Sequence, residues 1–161
     1  DLTIDAIEQG LRNFKGLPHR LELVRKYNGV DYYNDSFSSA PPATVAAVKS
    51  FEQPEILIVG GIEKGGDFSI LIDTLKAQTN IKEVLLIGQT RQSLLAQMQA
   101  AGVPTKITVL DAQTMPEIVG YATQAAVSGD VVVLSPGSAS FDMFKDFYDR
   151  GDQFRNVVNS L

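Results

Sequence analysis

The sequence predicts an α/β fold in which a doubly wound, mostly parallel sheet carries an antiparallel hairpin at its N-terminal end. Short runs of β-forming, apolar residues end in glycine or serine, which is typical of strands buried on both faces. Amphipathic segments of helical period separate these runs, as in repeated strand–helix units. An Asn-Gly pair between the first two β-rich segments is a strong hairpin signal. Together these observations indicate a Rossmann-like arrangement.

The N-terminal part combines a helix with the hairpin. Apolar residues at helical spacing predict a helix over residues 3–14, and the glycine and proline within 16–20 end it. The β-rich segments 21–27 and 30–33 flank Asn28-Gly29, whose residues both accept positive φ, so an antiparallel pair is expected. We interpret residues 1–15 as a helix or linker from a preceding domain, and residues 16–161 as one domain.

The middle of the chain alternates helices and strands. Pro41-Pro42 suits the first turn of a helix that runs to about Phe51. A continuous apolar run then ends in Gly60-Gly61 and predicts a buried strand. The same strand-then-helix pattern repeats to the last strand. The predicted elements are strand 55–61, helix 69–78, strand 84–88, helix 91–101, strand 106–110, helix 114–127 and strand 130–134.

The C-terminal segment predicts a long amphipathic helix that begins directly after the small, hydroxyl-rich turn Ser135–Ser140. Ser140 is then a candidate N-cap, and Gly151 is expected to bend or split the helix. On periodicity alone Phe147 belongs to the core. The apolar stripe consists of Phe141, Phe144, Phe147, Phe154, Val157, Val158 and Leu161.

Composition excludes several functional classes. The 161 residues are 44% hydrophobic and 20% charged, which suits one globular domain with its own core. A net charge of −5 argues against binding to nucleic acid or to a membrane surface, because both need a basic face. The absence of cysteine excludes disulfides and thiolate metal sites and suits the cytoplasm. With a single histidine, His19, no zinc site is expected.

Three loops that follow predicted strands are candidates for a ligand site: Asn34–Ala40, Gly60–Phe68 and Ser135–Ser140. In an open α/β sheet such loops lie at the carboxyl edge, where ligands bind, so we expect them to converge. Asp35 has two interpretations, a ligand for ribose hydroxyls or a cation, and a hydroxyl turn that precedes a helix. Ser140 likewise suits an anion-binding turn or a helix cap.

The glycine-rich loop around Lys64 offers a mobile positive charge close to the backbone, although a flexible surface loop explains it equally well. It matches neither the GxGxxG fingerprint nor the GxxxxGK[ST] loop, and no P-loop occurs anywhere in the chain. We interpret His19 as structural. Arg20 is the better ligand candidate because a guanidinium forks onto phosphate or ribose oxygens.

These motifs occur together in one known family. The order and spacing of Gly16–Arg20, Asn34-Asp35-Ser36, Gly60-Gly61 with Lys64, Ser135-Pro136 with Ala139-Ser140, and Arg150-Gly151 match it. The chain resembles the carboxyl-terminal domain of the Mur ligases, in particular of those members that add D-glutamate. The resemblance covers essentially all 161 residues and is carried by several motifs in register.

The resemblance implies an activity for the whole protein. In this family ATP, with Mg2+, phosphorylates the carboxylate of UDP-N-acetylmuramoyl-L-alanine, and the amine of D-glutamate then displaces phosphate to form an amide. The P-loop lies on a central ATPase domain, which the present chain lacks. The resemblance therefore implies a domain of a bacterial, cytoplasmic enzyme of peptidoglycan synthesis that has no catalytic or metal-binding residue of its own and is inactive by itself.

The resemblance also assigns site residues. Lys64 corresponds to the cation that pairs with one carboxylate of D-glutamate. Ser140, Phe141 and Phe147 correspond to residues that hold the other carboxylate. Ser39 takes the place of a family threonine beside the first one. Two residues correspond to positions that contact the nucleotide. Asp35 lies near the ribose, and Arg20 lies at the hinge to the central domain.

The chain departs from the family pattern in one segment. After Asn-Asp-Ser the family usually has Lys-Ala-Thr-Asn, where this chain has Phe37-Ser38-Ser39-Ala40. The loss of the lysine puts the detailed nucleotide contacts in question. Two alternatives remain: a domain of another Mur ligase or of a folylpolyglutamate synthetase, and a stand-alone module that binds a nucleotide or an acidic amino acid.

Overall fold

The computed structural model describes residues 3–14, 16–62 and 65–161. Six strands form one sheet, and helices pack on both of its faces. The strands are β1 (Glu22–Tyr27), β2 (Val30–Asn34), β3 (Glu55–Gly60), β4 (Ile81–Ile87), β5 (Lys106–Val109) and β6 (Val131–Leu134). The helices are α1 (Ile4–Asn13), α2 (Pro41–Val48), α3 (Ser69–Ala77), α4 (Arg91–Ala100), α5 (Met115–Ala125) and α6 (Phe147–Ser160).

The strand order is β1-β2-β6-β3-β4-β5, and every neighbouring pair is parallel except β1–β2. That pair is the expected hairpin, with positive φ at Asn28 (49°) and Gly29 (78°). The predicted mostly parallel α/β sheet with an N-terminal hairpin is therefore confirmed.

Residues of β3 alternate between two hydrophobic cores. Leu57 and Val59 face the core formed with α2, α3 and α4, whereas Ile56 and Ile58 face the core formed with α5 and α6. Because β6 lies between β2 and β3, the chain returns here from the far edge of the sheet. The carboxyl ends of β2, β6 and β3 thus flank a topological switch point, the usual position of a ligand crevice.

The last helix begins later than predicted. Residues 141–146 form turns, in which the N–H groups of Met143 and Phe144 donate to the Ser140 carbonyl. The N-cap is Asp146, whose extended backbone (φ −161°) interrupts the helical path and whose carboxylate accepts the Asp149 N–H at 2.8 Å. Of the two interpretations of Ser140, the helix cap was wrong, because residues 141–146 are not helical and the helix begins only after Asp146.

Gly151 does not split α6, since the helix is continuous over Phe147–Ser160. A Cβ atom at this position would lie 2.1 Å from Nδ1 of His19. The glycine therefore allows close packing between α6 and the segment that precedes β1. His19 is itself buried, with its Nδ1 3.1 Å from the Asn34 amide nitrogen, which supports the structural role predicted for it.

Helix α1 is present as predicted, and none of its residues is buried. Its apolar side chains Ile4, Ile7 and Leu11 face solvent, as does Phe14 immediately after it. This stripe therefore covers no part of the domain as described. Among the helices of the described ranges, none has the length and apolar character needed to cross a membrane.

Candidate functional site

The three candidate loops meet at the carboxyl edge of the sheet, as the sequence predicted. The Ser135 hydroxyl donates to the Asp35 carboxylate at 2.7 Å, and the Gly137 N–H donates to the Ser38 carbonyl at 2.9 Å. From the third loop, the Ile62 N–H donates to the Ala139 carbonyl at 2.9 Å. The loops after β2, β3 and β6 are thus hydrogen-bonded into one rim.

A small cavity of about 130 Å³ lies between these loops. Gly137 has a positive φ of 64°, and a Cβ there would lie 3.1 Å from Thr44 Oγ1, so the conformation and the packing both favour glycine. The buried Ser138 hydroxyl has no hydrogen-bond partner in the part of the chain that the structure describes. The lining residues are Ser39, Ala40, Pro41, Ile62, Gly66, Phe68, Gly137, Ser138 and Ala139.

Asp35 is buried, and its carboxylate links the loops after β2 and β6 by hydrogen bonds. Its Oδ2 accepts hydrogen bonds from the Ser38 and Ser135 hydroxyls, and its Oδ1 accepts the Leu21 N–H at 3.1 Å. Burial raises the pKa of Asp35, and the hydroxyl and N–H donors offset part of that rise. The hydroxyl turn that the sequence allowed is present, and ribose binding by Asp35 stays a prediction.

Arg20 is exposed beside this rim. Its guanidinium lies 4.9 Å from the centre of the Phe37 ring, a cation–π contact, and it makes no ion pair with any residue that the structure describes. Phe37 thus places an aromatic ring against a neighbouring cation. The two side chains line an apolar groove of about 390 Å³ together with Leu17, Pro18 and Tyr148.

The remaining site candidates are distributed around the same edge. Ser140 is 2% exposed, whereas Ser39 is exposed at the cavity and the Phe141 side chain is exposed. Phe147 is half-buried rather than a core residue, and its ring meets that of Phe37 edge-on at 5.0 Å. Lys64 lies outside the described residues, so its predicted role stays a prediction.

Arg150, which sequence reasoning did not select as a site residue, lies directly behind the rim. It is 1% exposed, and its guanidinium donates to the Ser36 hydroxyl (2.9 Å), the Ser36 carbonyl (2.8 Å) and the Ser138 carbonyl (3.0 Å). Burial lowers the pKa of Arg150 to about 10, so it is still cationic at neutral pH. A signal was available in the sequence, because Arg150 lies three residues after Phe147 and four before Phe154, on the buried stripe.

Comparison with known proteins identifies the family. The model of the "Mur ligase, glutamate ligase domain" family matches residues 19–137. A UDP-N-acetylmuramoylalanine--D-glutamate ligase of Clostridium botulinum (strain Alaska E43 / Type E3) is 40% identical over 163 residues, covering 100% of this chain and 35% of the relative. The enzyme of the same name from Clostridium perfringens is 37% identical, with the same coverage. The chain thus spans about a third of the length of these curated relatives.

Solved structures of low identity share the fold. UDP-N-acetylmuramate-alanine ligase MurC from Thermotoga maritima superposes with a TM-score of 0.65 at 12% identity, covering 99% of this chain and 34% of that one. A pseudomurein peptide ligase type C from Methanothermus fervidus gives 0.60 at 15% identity, covering 98% and 32%. The family model covers most of the chain, the curated relatives cover all of it, and the fold agrees: the chain belongs to the Mur ligase family, as its glutamate ligase domain.

Proposed function

We propose that this chain is the carboxyl-terminal domain of an ATP-dependent ligase that adds D-glutamate to UDP-N-acetylmuramoyl-L-alanine in peptidoglycan precursor synthesis. The observation that carries the proposal is the identity of 37–40% over the whole chain to relatives named as UDP-N-acetylmuramoylalanine--D-glutamate ligases. The convergence of three loops at the switch point supports it, because that edge is where an α/β domain presents a substrate.

The role proposed for the domain is to hold D-glutamate and to close over ATP. A dicarboxylic amino acid needs a cation at one end and hydroxyl or N–H donors at the other. Lys64 would supply the cation, from the loop that follows β3. The hydroxyls of Ser39 and Ser140 would supply donors, with Phe141 and Phe147 beside them.

The nucleotide contacts would come from the same edge. Arg20 is exposed and makes no ion pair within the described ranges, so its guanidinium is available for phosphate oxygens. Asp35 uses three of the acceptor positions of its carboxylate, which leaves capacity for a ribose hydroxyl. These contacts fit one edge of a nucleotide that another domain holds.

The residues described do not fit a magnesium site. They contain no group of three or more His, Cys, Asp or Glu side chains placed to hold a metal, and the sequence has no P-loop. We therefore assign Mg2+ and the transferring phosphates to the central ATPase domain. When ATP is bound there, it supplies the activation of the acceptor carboxylate, while this chain supplies the amino acid.

The partner of the domain within its own protein would be that central domain. The apolar stripe of α1, which faces solvent here, offers a surface for it. The chain accounts for 35% of the length of its curated relatives, which leaves room for such a domain. The proposal places the protein in the bacterial cytoplasm, where UDP-linked precursors are made.

The test is steady-state kinetics of the full-length protein that contains this chain. The wild type is expected to release phosphate with MgATP, UDP-N-acetylmuramoyl-L-alanine and D-glutamate, and not with L-glutamate. Lys64→Met and Ser140→Ala are each expected to raise the KM for D-glutamate by about tenfold, because each removes a carboxylate partner. Turnover with a different amino acid, or variants with an unchanged KM, would contradict the proposal.

A matched control is available in Lys76→Met, which removes an exposed lysine from the last turn of α3. It makes the same change in charge as Lys64→Met at a position away from the rim. The control is expected to leave the KM for D-glutamate within about twofold of the wild-type value. An equal rise in both variants would mean that net charge, and not Lys64, is responsible.

A further inference from the structure

Arg150 is an unusual group to find behind a binding rim. Its side chain is among the largest fully buried ones, and within residues 3–14, 16–62 and 65–161 it forms no close ion pair, although the Asp142 carboxylate interacts with its charge at longer range. All three of its acceptors are neutral oxygens of Ser36 and Ser138. Burying a cation against neutral groups costs desolvation energy, and an apolar side chain of similar volume is often the more stable choice. Packing alone therefore does not account for this arginine.

Arg150 acts on both ends of segment 138–147, which contains the proposed substrate-binding residues Ser140 and Phe147. Nη1 donates to the Ser138 carbonyl, two residues before Ser140. Nε donates to the Ser36 hydroxyl, and that hydroxyl in turn donates to the Phe147 carbonyl at 2.8 Å. One guanidinium thus determines the positions of the segment's beginning and, through Ser36, its end.

The planar guanidinium suits this task because its donors have a fixed geometry. Three hydrogen bonds from one rigid fork define the distance between the loop after β2 and the loop after β6. An ammonium group has no such fork and can satisfy only part of the set at a time.

We propose that Arg150 is a positioning residue for the acidic substrate, acting through Ser36 and Ser138 on the segment that contains Ser140 and Phe147. The inference rests on the proposed function, in which that segment holds a carboxylate of D-glutamate. Arg150 does not touch the substrate in this account. It keeps the segment in the conformation that binds the substrate.

The test uses the full-length enzyme with Arg150→Met, Arg150→Lys and Ser36→Ala, and Arg155→Met as the matched control. Arg155 lies on the same helix but pairs with Glu22 and Asp152, away from the rim. Arg150→Met is expected to raise the KM for D-glutamate by about tenfold, and Arg150→Lys and Ser36→Ala by about threefold each. In all four variants the KM for UDP-N-acetylmuramoyl-L-alanine is expected to stay within about twofold of the wild-type value.

A merely structural role gives a different result. If Arg150 only stabilises the fold, the variants contain less active enzyme, so kcat falls while the KM for D-glutamate stays constant, as we expect for Arg155→Met. That outcome for Arg150→Lys or Ser36→Ala overturns the proposal, and these mild variants decide the question if Arg150→Met does not fold. Failure of the wild type to use D-glutamate instead overturns the proposed function.

Discussion

Glu55, at the amino-terminal end of β3, has a buried carboxyl group whose desolvation no hydrogen bond from the described residues offsets. Glu55 is 0% exposed, and neither of its side-chain oxygens has a hydrogen-bond partner in the described part of the molecule. Burial raises the pKa of Glu55 from 4.5 to about 8. The native state therefore holds a protonated Glu55 at neutral pH, whereas the unfolded chain ionises it.

The sign of the resulting pH dependence follows from proton counts. Between pH 4.5 and about 8 the native state binds one more proton at Glu55 than the unfolded state does. The free energy of unfolding contributed by this group therefore falls as pH rises, by about 1.4 kcal/mol per unit at most. The contribution is fully present below pH 4.5 and is lost above about pH 8.

Glu55→Gln is expected to remove this loss, because the amide stays neutral at every pH. Urea unfolding of both proteins at pH 5 and at pH 8 measures it. The variant should resemble the wild type at pH 5. At pH 8 it should be more stable by several kcal/mol, which is about 1.4 kcal/mol for each pH unit between the two measurements. An equal difference at the two pH values would show that Glu55 does not titrate between them.

At the scale of elements, helix α6 depends on a glycine that a helix interior normally disfavours. A Cβ at position 151 would lie 2.1 Å from Nδ1 and 2.9 Å from Cε1 of His19, which is buried and held by Asn34. The neighbour cannot move aside without breaking that contact. The helix therefore gains its close approach to the segment before β1 from the absence of a side chain.

Gly151→Ala is expected to destabilise the domain by about 2 kcal/mol or more, although alanine is the better helix former by about 1 kcal/mol. Gly10→Ala is the matched control, since Gly10 lies in α1 and a Cβ there meets nothing within 4 Å. The control should be neutral or slightly stabilising. Thermal unfolding of the two variants measures the contrast, and a neutral Gly151→Ala would contradict the packing argument.

At the scale of the whole molecule, three loops of the chain converge at one edge of the sheet, where we propose that the amino acid binds. No P-loop occurs in its sequence, and its described residues contain no metal-binding cluster. The convergent loops belong to this chain alone, whereas under the proposed function closure against another domain would complete the pocket. Binding and turnover should therefore separate in the isolated chain.

The isolated chain is expected to bind D-glutamate weakly, because part of the pocket comes from domain closure. It is also expected to release no phosphate from MgATP in the presence of both other substrates. An NMR titration with D-glutamate, with lysine as the control ligand, should shift signals near Lys64 and Ser140. Shifts elsewhere only, or an equal response to lysine, would contradict the site assignment, and phosphate release would contradict the domain argument.

Local pattern was sufficient to predict the fold. Hydrophobic period, the Asn28-Gly29 turn and glycines at strand ends predicted the elements and the hairpin, and the rule for carboxyl edges predicted that three loops converge. These signals act within a few residues, so they are visible in the sequence. The start of α6 was missed because the cap at Asp146 competes with a periodic stripe that continues on both sides of it.

Only the tertiary structure decided which polar groups are buried and what satisfies them. Arg150 and Ser36 are 114 residues apart in sequence, and Ser135 and Asp35 are 100 apart, yet each pair shares a hydrogen bond. Glu55 differs from an ordinary strand-end carboxylate because it is buried and its oxygens have no hydrogen-bond partner within the described residues. By itself the sequence determined the sheet, its hairpin and the edge at which the three loops meet. The partners of its buried charges depended on which distant segments the fold brings into contact, because local period and turn signals carry no information about them.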